Sequence, residues 1–179
     1  MRALECALEV DSKYAPAILS MGSVEYQRGR KDRGKELLLS LVSLPPSAAD
    51  GGESDLAEII DEAGDSLIHM GNYTDGLELY RAAVVRFPDR AVFHQGVSCC
   101  AGHEGQHEEA IAASETALEL NPENQEYVND LGWSLFEASR LDEARQVLSR
   151  AVAMDAADEL ARENLRLCTE AISRGRSET

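Results

Sequence analysis

The sequence predicts an all-α protein built from stacked pairs of helices, and three observations support this prediction. The stretches that begin at Ala57, Ala91 and Gln125 fall into register at a spacing of 34 residues. Each stretch has small residues at its eighth, twentieth and twenty-seventh positions. Apolar residues recur within each stretch at helical spacing, with a break near the middle. A repeat of this length is typical of a solenoid, in which each helix pair buries its apolar face against its neighbours.

The pattern within one stretch predicts two helices and a tight turn. Val128, Leu131 and Leu135 share one helical face, and a second apolar stripe starts soon after Ser139. In the two preceding stretches, a glycine follows the first helix and predicts a C-terminal cap with positive φ; these glycines are Gly71 and Gly105.

The small residues at fixed positions predict close helix crossings. Gly64 and Gly132 are expected where two helix backbones approach each other, because a larger side chain would push them apart.

These stretches resemble the tetratricopeptide repeat, a helix–turn–helix unit of 34 residues. The similarity is strongest in NDLGWSLFEASRLDEARQVLSRAVAMD and HEEAIAASETALELNPEN. It extends to GDSLIHMGNYTDGLELYRAAVVRFPD and, more weakly, to residues 15–48. The resemblance covers nearly the whole chain. It implies a right-handed superhelical solenoid of antiparallel helix pairs, with about ten helices.

The expected organisation follows this register. It comprises a partial repeat or N-terminal capping helix (1–14), a divergent repeat (15–48), an inserted loop (49–56), three repeats (57–90, 91–124 and 125–158), a C-terminal capping helix (159–174) and a tail (175–179). Residues 1–10 resemble the second helix of a repeat whose first helix is absent. The chain is then either a piece of a longer array or capped by this helix. The insertion is expected to be a surface loop, with a hinge or binding loop as the alternative.

The charge predicts the kind of partner. The net charge is −16, and residues 49–179 hold 27 acidic and 10 basic side chains. Such a chain repels nucleic acid and anionic membranes and favours basic partners.

No apolar run reaches the roughly 20 residues of a membrane helix. The four cysteines include no CxxC pair and are expected to be reduced thiols. The expected location is the cytoplasm, unless a missing upstream segment changes it.

The resemblance also implies where a ligand binds. In the family, one face of the first helix of each pair lines a concave groove. Transferred to this sequence, that face predicts a partner-binding groove formed by Tyr26, Asp61, Asp65, Ile68, Gln95, Cys99, Asn129, Trp133 and Phe136. The same face also includes Leu19, Ser23, Glu58, Glu62, His69, Gly102, His103, Glu126, Asp130 and Glu137.

An acidic groove with aromatic side chains predicts a basic or amphipathic ligand segment. The predicted function is therefore a protein-interaction scaffold or adaptor. Solvation of an exposed acidic face and packing against another subunit are alternatives for the groove, and Trp133 is alternatively a core residue. An alternative function is self-assembly, in which copies stack end to end through their terminal helices as a homo-oligomer.

One subclass of the family is disfavoured. Members that hold the acidic C-terminal tails of heat-shock chaperones use lysine, asparagine and arginine in the groove. The matching places here carry Leu19, Ser23, Asp65, Leu160 and Asn164. We therefore expect no binding of such tails.

Side chains that carry chemistry are sparse. Cys99, Cys100, His103 and His107 form the only cluster of metal-ligand types, and His107 is expected to follow the turn. No nucleophile motif or phosphate-binding loop is evident. We therefore predict no metal, no cofactor, no catalytic residue and no enzymatic activity.

Ala101 replaces the leucine of its sister repeats, so either a bulky neighbour fills the space or the groove has a notch.

Overall fold

The computed structural model describes residues 2–177, and these residues form ten α-helices without a strand. The prediction of an all-α chain of helix pairs is confirmed. The chain divides into two compact units, Met1–Pro88 and Asp89–Thr179. Within residues 2–177, no helix has both the length and the apolar character needed to cross a bilayer.

The first unit contains five α-helices and two short 3₁₀ segments. Its elements are α1 (Arg2–Val10), α2 (Ala15–Gln27), α3 (Lys31–Ser40), 3₁₀ turns at Leu41–Ser43 and Pro46–Ala48, α4 (Glu53–His69) and α5 (Tyr73–Arg86). Helix α2 packs against α1, α3 and α4, while α5 packs against α4 and α3. The pairs α2–α3 and α4–α5 correspond to the first two predicted repeats.

The second unit contains two further pairs and a final helix. Its elements are α6 (Ala91–His103), α7 (His107–Leu120), α8 (Gln125–Glu137), α9 (Leu141–Met154) and α10 (Glu159–Ser177). Helix α8 packs against α6 as well as against α10. Helix α8 is therefore a neighbour of both α6 and α10.

Each helix pair turns through one residue with positive φ. Gly29, Gly71 and Gly105 have φ of 78°, 69° and 73°, which confirms the caps predicted at Gly71 and Gly105. In the fourth pair, Ser139 takes this place with φ of 62°. A residue with a Cβ is strained in this region.

The predicted helix crossings are also present. A Cβ on Gly132 would lie 2.6 Å from the side chain of Leu148, and one on Gly64 would collide with the ring of Tyr80. Both glycines are in the first helix of a pair, opposite a large side chain of the second. The absence of a Cβ therefore sets the distance between the paired helices.

The inserted loop is shorter than predicted. Helix α4 begins at Glu53, so only residues 49–52 connect it to the preceding turn. Leu56, predicted to lie in the loop, is fully buried in the helix. Burial of this side chain explains why the helix starts early. Arg86 donates to the carbonyl oxygens of Val42 and Leu44 at 2.5 and 2.7 Å, which anchors the chain ahead of the loop.

The final helix is longer than predicted. Helix α10 continues to Ser177, beyond the predicted end at residue 174. Salt bridges one turn apart support it, including those of Arg166 with Glu163 and Glu170. Residues 178–179 of the predicted tail lie outside the described residues.

Candidate functional site

Helices α6 and α8 bring predicted groove residues together around a pocket. The pocket has a volume of about 120 Å³, and we call it the Trp133 pocket. It is lined by Gln95, Ser98, Cys99, His103, Asp130, Trp133, Ser134 and Glu137. Three of the predicted site residues, Gln95, Cys99 and Trp133, thus line one pocket.

Two carboxylates border this pocket. Gln95 Nε2 donates to Asp130 Oδ2 at 3.2 Å. Burial raises the pKa of Asp130, although the hydrogen bond from Gln95 opposes this effect. A Cβ on Gly102 would lie 2.9 Å from Glu137 Oε2, so the Glu137 carboxylate lies against the backbone of α6.

Three serines form a buried hydroxyl cluster at the base of the pocket. Ser98 Oγ lies 2.5 Å from Ser114 Oγ, and Ser134 Oγ lies 3.2 Å from each of the other two. All three side chains are buried, and Ser98 and Ser134 line the pocket. All three contacts can be hydrogen bonds at the same time only if each hydroxyl donates its single proton to another hydroxyl of the cluster. In that arrangement every hydroxyl proton lies within the cluster.

Trp133 stands between the pocket and the core. Its ring lies 5.1 Å from the ring of Phe136, with an interplanar angle of 36°. Phe136 packs against the core cluster that contains Leu131 and Leu135, and it does not line the pocket. The structure therefore places Phe136 behind Trp133, where it supports the indole instead of forming a groove wall.

A second, larger depression continues from the pocket. It has a volume of about 520 Å³ and shares Gln95 and Asp130 with the Trp133 pocket. Its remaining lining residues are Gln125, Glu126, Asn129, Asp155, Ala157, Asp158 and Leu160. We call the two depressions together the α6–α8–α10 trough. Five carboxylates line it: Glu126, Asp130, Glu137, Asp155 and Asp158.

Asn129 borders the trough but is 3% exposed. Its side-chain oxygen accepts a hydrogen bond from Asn164 Nδ2 at 3.1 Å, and Asn164 is also buried. Asn129 thus lines the trough, but its amide is largely covered because α10 packs onto α8 at this position.

Tyr26 is misplaced by the sequence prediction. Its side chain is 5% exposed, and its ring covers Gly34. The Tyr26 hydroxyl donates to Asp75 Oδ2 at 2.6 Å, while Lys35 Nζ lies 2.9 Å from Asp75 Oδ1. Burial and the hydrogen bond with Asp75 raise the pKa of Tyr26. Tyr26 therefore joins α2 to α5 within the first unit and is not a groove residue.

The remaining predicted residues lie on α4 in the first unit. Asp61 and Ile68 are half-buried, and Asp65 is exposed. The Tyr80 hydroxyl lies 3.1 Å from Asp65 Oδ1 and 3.3 Å from Asp61 Oδ1. Burial and the nearby Asp65 charge raise the pKa of Asp61 to about 6. This surface is acidic, with one apolar side chain at its end.

The residues considered as metal ligands do not converge. Within residues 2–177 there is no group of three His, Cys, Asp or Glu side chains that could hold a metal ion. Cys99 and His103 line the Trp133 pocket, while Cys100 is fully buried and His107 begins α7. Ala101 is also fully buried, so the space beside it is filled. The open space on this helix is the Trp133 pocket, which is lined by the nearby Ser98 and Cys99.

The serine cluster was not predicted, although the sequence contains a signal for it. In the repeat of residues 91–124, Ser98 and Ser114 occupy the places of Gly132 and Leu148 in the next repeat. A glycine opposite a leucine is thus replaced by two serines. The third member, Ser134, comes from the neighbouring repeat, and the packing of α8 against α6 and α7 brings it close.

Comparison with known proteins identifies the family. Two family models, both described as tetratricopeptide repeat, match residues 62–102 and 103–166. Small glutamine-rich tetratricopeptide repeat-containing protein 2 of Mycosarcoma maydis is 26% identical over 117 residues, which are 65% of this chain and 33% of the relative. The chain thus spans about a third of the length of that curated relative.

Solved structures share the fold. The first tetratricopeptide repeat domain of Spaghetti (RPAP3), bound to the HSP90 peptide SRMEEVD, has a TM-score of 0.61 and 19% identity, over 65% of this chain and 93% of that one. YrrB, described as having an unusual peptide-binding site, has a TM-score of 0.64 and 19% identity, over 89% of this chain and 78% of that one. With its matching repeat models and its helix-pair solenoid fold, the chain belongs to the tetratricopeptide repeat family.

Proposed function

We propose that this protein is an interaction scaffold that binds a basic or amphipathic segment of a partner protein in the α6–α8–α10 trough. The observation on which the proposal rests is the Trp133 pocket, which is lined by a half-buried indole and by the acidic side chains of Asp130 and Glu137. A cation over an indole face gains about 0.5–2 kcal/mol, and nearby carboxylates add to this attraction. A neutral or acidic segment would leave the carboxylates without a counter-charge.

The charge of the trough supports a basic ligand. Five carboxylates line it, and no lysine or arginine does. The net charge of −16 extends this attraction beyond the contact surface and favours rapid association with a cationic segment. In the first unit, Asp61, Asp65 and Ile68 form a second candidate contact surface of the same character.

Relatives named for peptide binding support the general function. Of the two similar structures, one is bound to an HSP90 peptide and the other, YrrB, is described as having an unusual peptide-binding site. The chemistry of the ligand is expected to differ here. Asp65 and Leu160 occupy places where an acidic tail would require cationic or amide groups, so we propose that acidic tails are rejected.

The outer face of α10 favours the scaffold over end-to-end assembly. Arg166 pairs there with Glu163 and Glu170, and Arg174 pairs with Glu170. Stacking another repeat on this face would require these charged groups to lose water. We therefore propose that α10 caps the array.

A peptide array tests the proposed function. Labelled full-length protein is incubated with short peptides that vary in net charge and helical amphipathicity, at low and high salt. Bound peptides are expected to be rich in lysine and arginine, and high salt should release them. The HSP90 peptide SRMEEVD serves as the acidic comparison. Preferential capture of this peptide would overturn the proposed ligand class.

Matched variants locate the binding surface. Glu137→Gln removes a charge from the trough, while Glu123→Gln removes one from an exposed loop residue outside it. Only the first is expected to weaken capture of basic peptides. Equal effects of both changes would mean that overall charge, and not the trough, determines binding. A mass that rises with protein concentration in light scattering would instead favour self-assembly.

A further inference from the structure

We propose that the Trp133 pocket receives one lysine side chain of the bound segment, with its ammonium group held between Asp130 and Glu137 above the serine cluster. This inference rests on the proposed function and names the side chain through which the partner would be recognised. It assigns the pocket a preference for lysine over arginine.

The size of the pocket limits its occupant to a single side chain. Its volume of about 120 Å³ is well below the roughly 300–1,000 Å³ of sites for small molecules and cofactors. The pocket runs between two helices. On α6 its lining residues follow one another at successive turns, and on α8 they span two turns from Asp130 to Glu137. A slender, unbranched chain fits a slot of this shape.

Several of the polar groups that line the pocket can accept hydrogen bonds from a ligand, although Gln95 and His103 also carry N–H donors. When the hydroxyl protons of Ser98, Ser114 and Ser134 are all shared within the cluster, the oxygens of Ser98 and Ser134, which line the pocket, still have a lone pair to offer a ligand. Asp130 and Glu137 contribute carboxylate oxygens. A complementary ligand group therefore brings several donors and a positive charge.

The arrangement of these acceptors favours an ammonium over a guanidinium group. Acceptors approach from the serine base and from two carboxylates that lie two helical turns apart on α8. An ammonium group directs three donors outward, whereas the five donors of a guanidinium lie in one plane and pair best with a single carboxylate. Asp130 Oδ2 already accepts a hydrogen bond from Gln95, which competes with such bidentate pairing.

The indole supplies the remaining wall. Phe136 supports the ring of Trp133 at a centroid distance of 5.1 Å, and Phe136 itself packs against the core. The aromatic wall is thus held in place before a ligand arrives, which reduces the entropy cost of binding. The methylene groups of a lysine side chain would pack along the indole while the ammonium group reaches the carboxylates.

Trp133 is the only tryptophan in the chain, so it gives a direct readout. Full-length protein labelled with ¹⁵N has one indole Nε1–H signal, which is followed during titration with capped pentapeptides Gly-Gly-X-Gly-Gly. X is lysine, arginine, acetyl-lysine or norleucine. The lysine peptide is expected to shift the signal saturably, with a Kd at least about threefold below that of the arginine peptide. The two uncharged peptides should cause little shift. Equal or tighter binding of arginine, or equal binding of norleucine, would overturn the inference.

Two variants distinguish a loss of lysine binding in the pocket from a loss of folding stability. Glu137→Gln is expected to raise the Kd for the lysine peptide about fivefold or more, and Glu123→Gln should leave it unchanged. Gly102→Ala places a Cβ against the Glu137 carboxylate and displaces it, while alanine favours the helix. This variant should therefore bind lysine more weakly although it is at least as stable as the parent. Unchanged lysine binding in both Glu137→Gln and Gly102→Ala would exclude the assigned role of Glu137.

The two proposals fail in different ways. If the array yields basic peptides but the lysine pentapeptide does not shift the indole signal, the pocket assignment is wrong and the scaffold proposal stands. If the lysine pentapeptide binds but the array yields no basic peptides, the pocket accepts a lysine side chain but the scaffold proposal, and with it the partner segment, is wrong.

Discussion

Tyr80 places its hydroxyl group 3.1 Å from Oδ1 of Asp65, and the same hydroxyl lies 3.3 Å from Oδ1 of Asp61. One donor thus faces two carboxylates on successive turns of α4. Burial of Asp61, followed by the charge of Asp65, raises the pKa of Asp61 to about 6, and the hydrogen bond from Tyr80 only partly opposes this shift. The folded protein therefore holds the Asp61 proton more tightly than the unfolded chain does.

This relationship predicts a pH-dependent gain in stability for Asp61→Asn. The stabilisation that the proton provides is complete below about pH 4 and is lost as the pH rises through about 6. At about pH 7, the variant should be more stable than the parent by about 1–2 kcal/mol, after allowance for the partial exposure of Asp61. At about pH 4, the difference should disappear. Urea unfolding at both pH values measures the change.

A neighbouring carboxylate provides the control for this experiment. Glu62 is exposed on the same helix, and Glu62→Gln is expected to give no comparable gain. A gain from Asp61→Asn that is the same at both pH values would contradict the proton linkage.

Gly132→Leu is expected to destabilise the second unit by about 2–3 kcal/mol. A Cβ at this position would lie 2.6 Å from the Leu148 side chain and 3.2 Å from its backbone nitrogen, so both the side chain and helix α9 would have to move. Chemical denaturation measures the loss. Gly175→Ala is the control, because a Cβ on Gly175 meets no atom within 4 Å and alanine favours the helix. Tolerance of Gly132→Leu would contradict the close helix crossing.

Ser139→Gly is expected to stabilise the protein by up to about 1 kcal/mol. Ser139 has φ of 62°, a conformation that costs an L-residue about 1–2 kcal/mol, and glycine removes most of that cost. The greater freedom of glycine in the unfolded chain offsets part of the gain. The reverse change at the equivalent turn, Gly105→Ser, should lower stability. If both variants change the melting temperature in the same direction, this explanation is ruled out.

Trp133→Ala tests whether this residue belongs to the pocket or to the core. Trp133 is half-buried, so its truncation should cost less than about 2 kcal/mol of folding stability. Phe93→Ala provides the comparison, because Phe93 is fully buried and its truncation should cost about 3–5 kcal/mol. If Trp133→Ala destabilises as much as Phe93→Ala, Trp133 is a core residue. Unfolding by guanidinium, followed by circular dichroism, allows both variants to be compared without tryptophan fluorescence.

Much of the fold could be predicted from local features. The 34-residue spacing predicted the helix pairs, and Gly71 and Gly105 predicted the turns, because a residue with positive φ is a requirement of the backbone itself. The end of a helix is harder to predict. Leu56 was expected in a loop, and its burial extends α4 toward the N-terminus.

The candidate site was predicted less completely, because helical spacing assigns a residue to a face without showing what covers that face. Gln95, Cys99 and Trp133 do line one pocket. Tyr26 lies on a face predicted for the groove, yet its long side chain reaches Asp75 across the space left by a glycine. Asn129 likewise pairs with Asn164 once α10 is in place.

The sequence by itself determined the helix pairs, their turns and the small residues at their crossings, because these depend on backbone geometry and on periods that repeat along the chain. It also determined the acidic character of the chain. Only the tertiary structure decided which polar side chains remain accessible and which satisfy one another. The serine cluster forms because Ser98, Ser114 and Ser134 come from three helices that pack together. Buried hydroxyl groups need partners, and here each partner comes from a different helix.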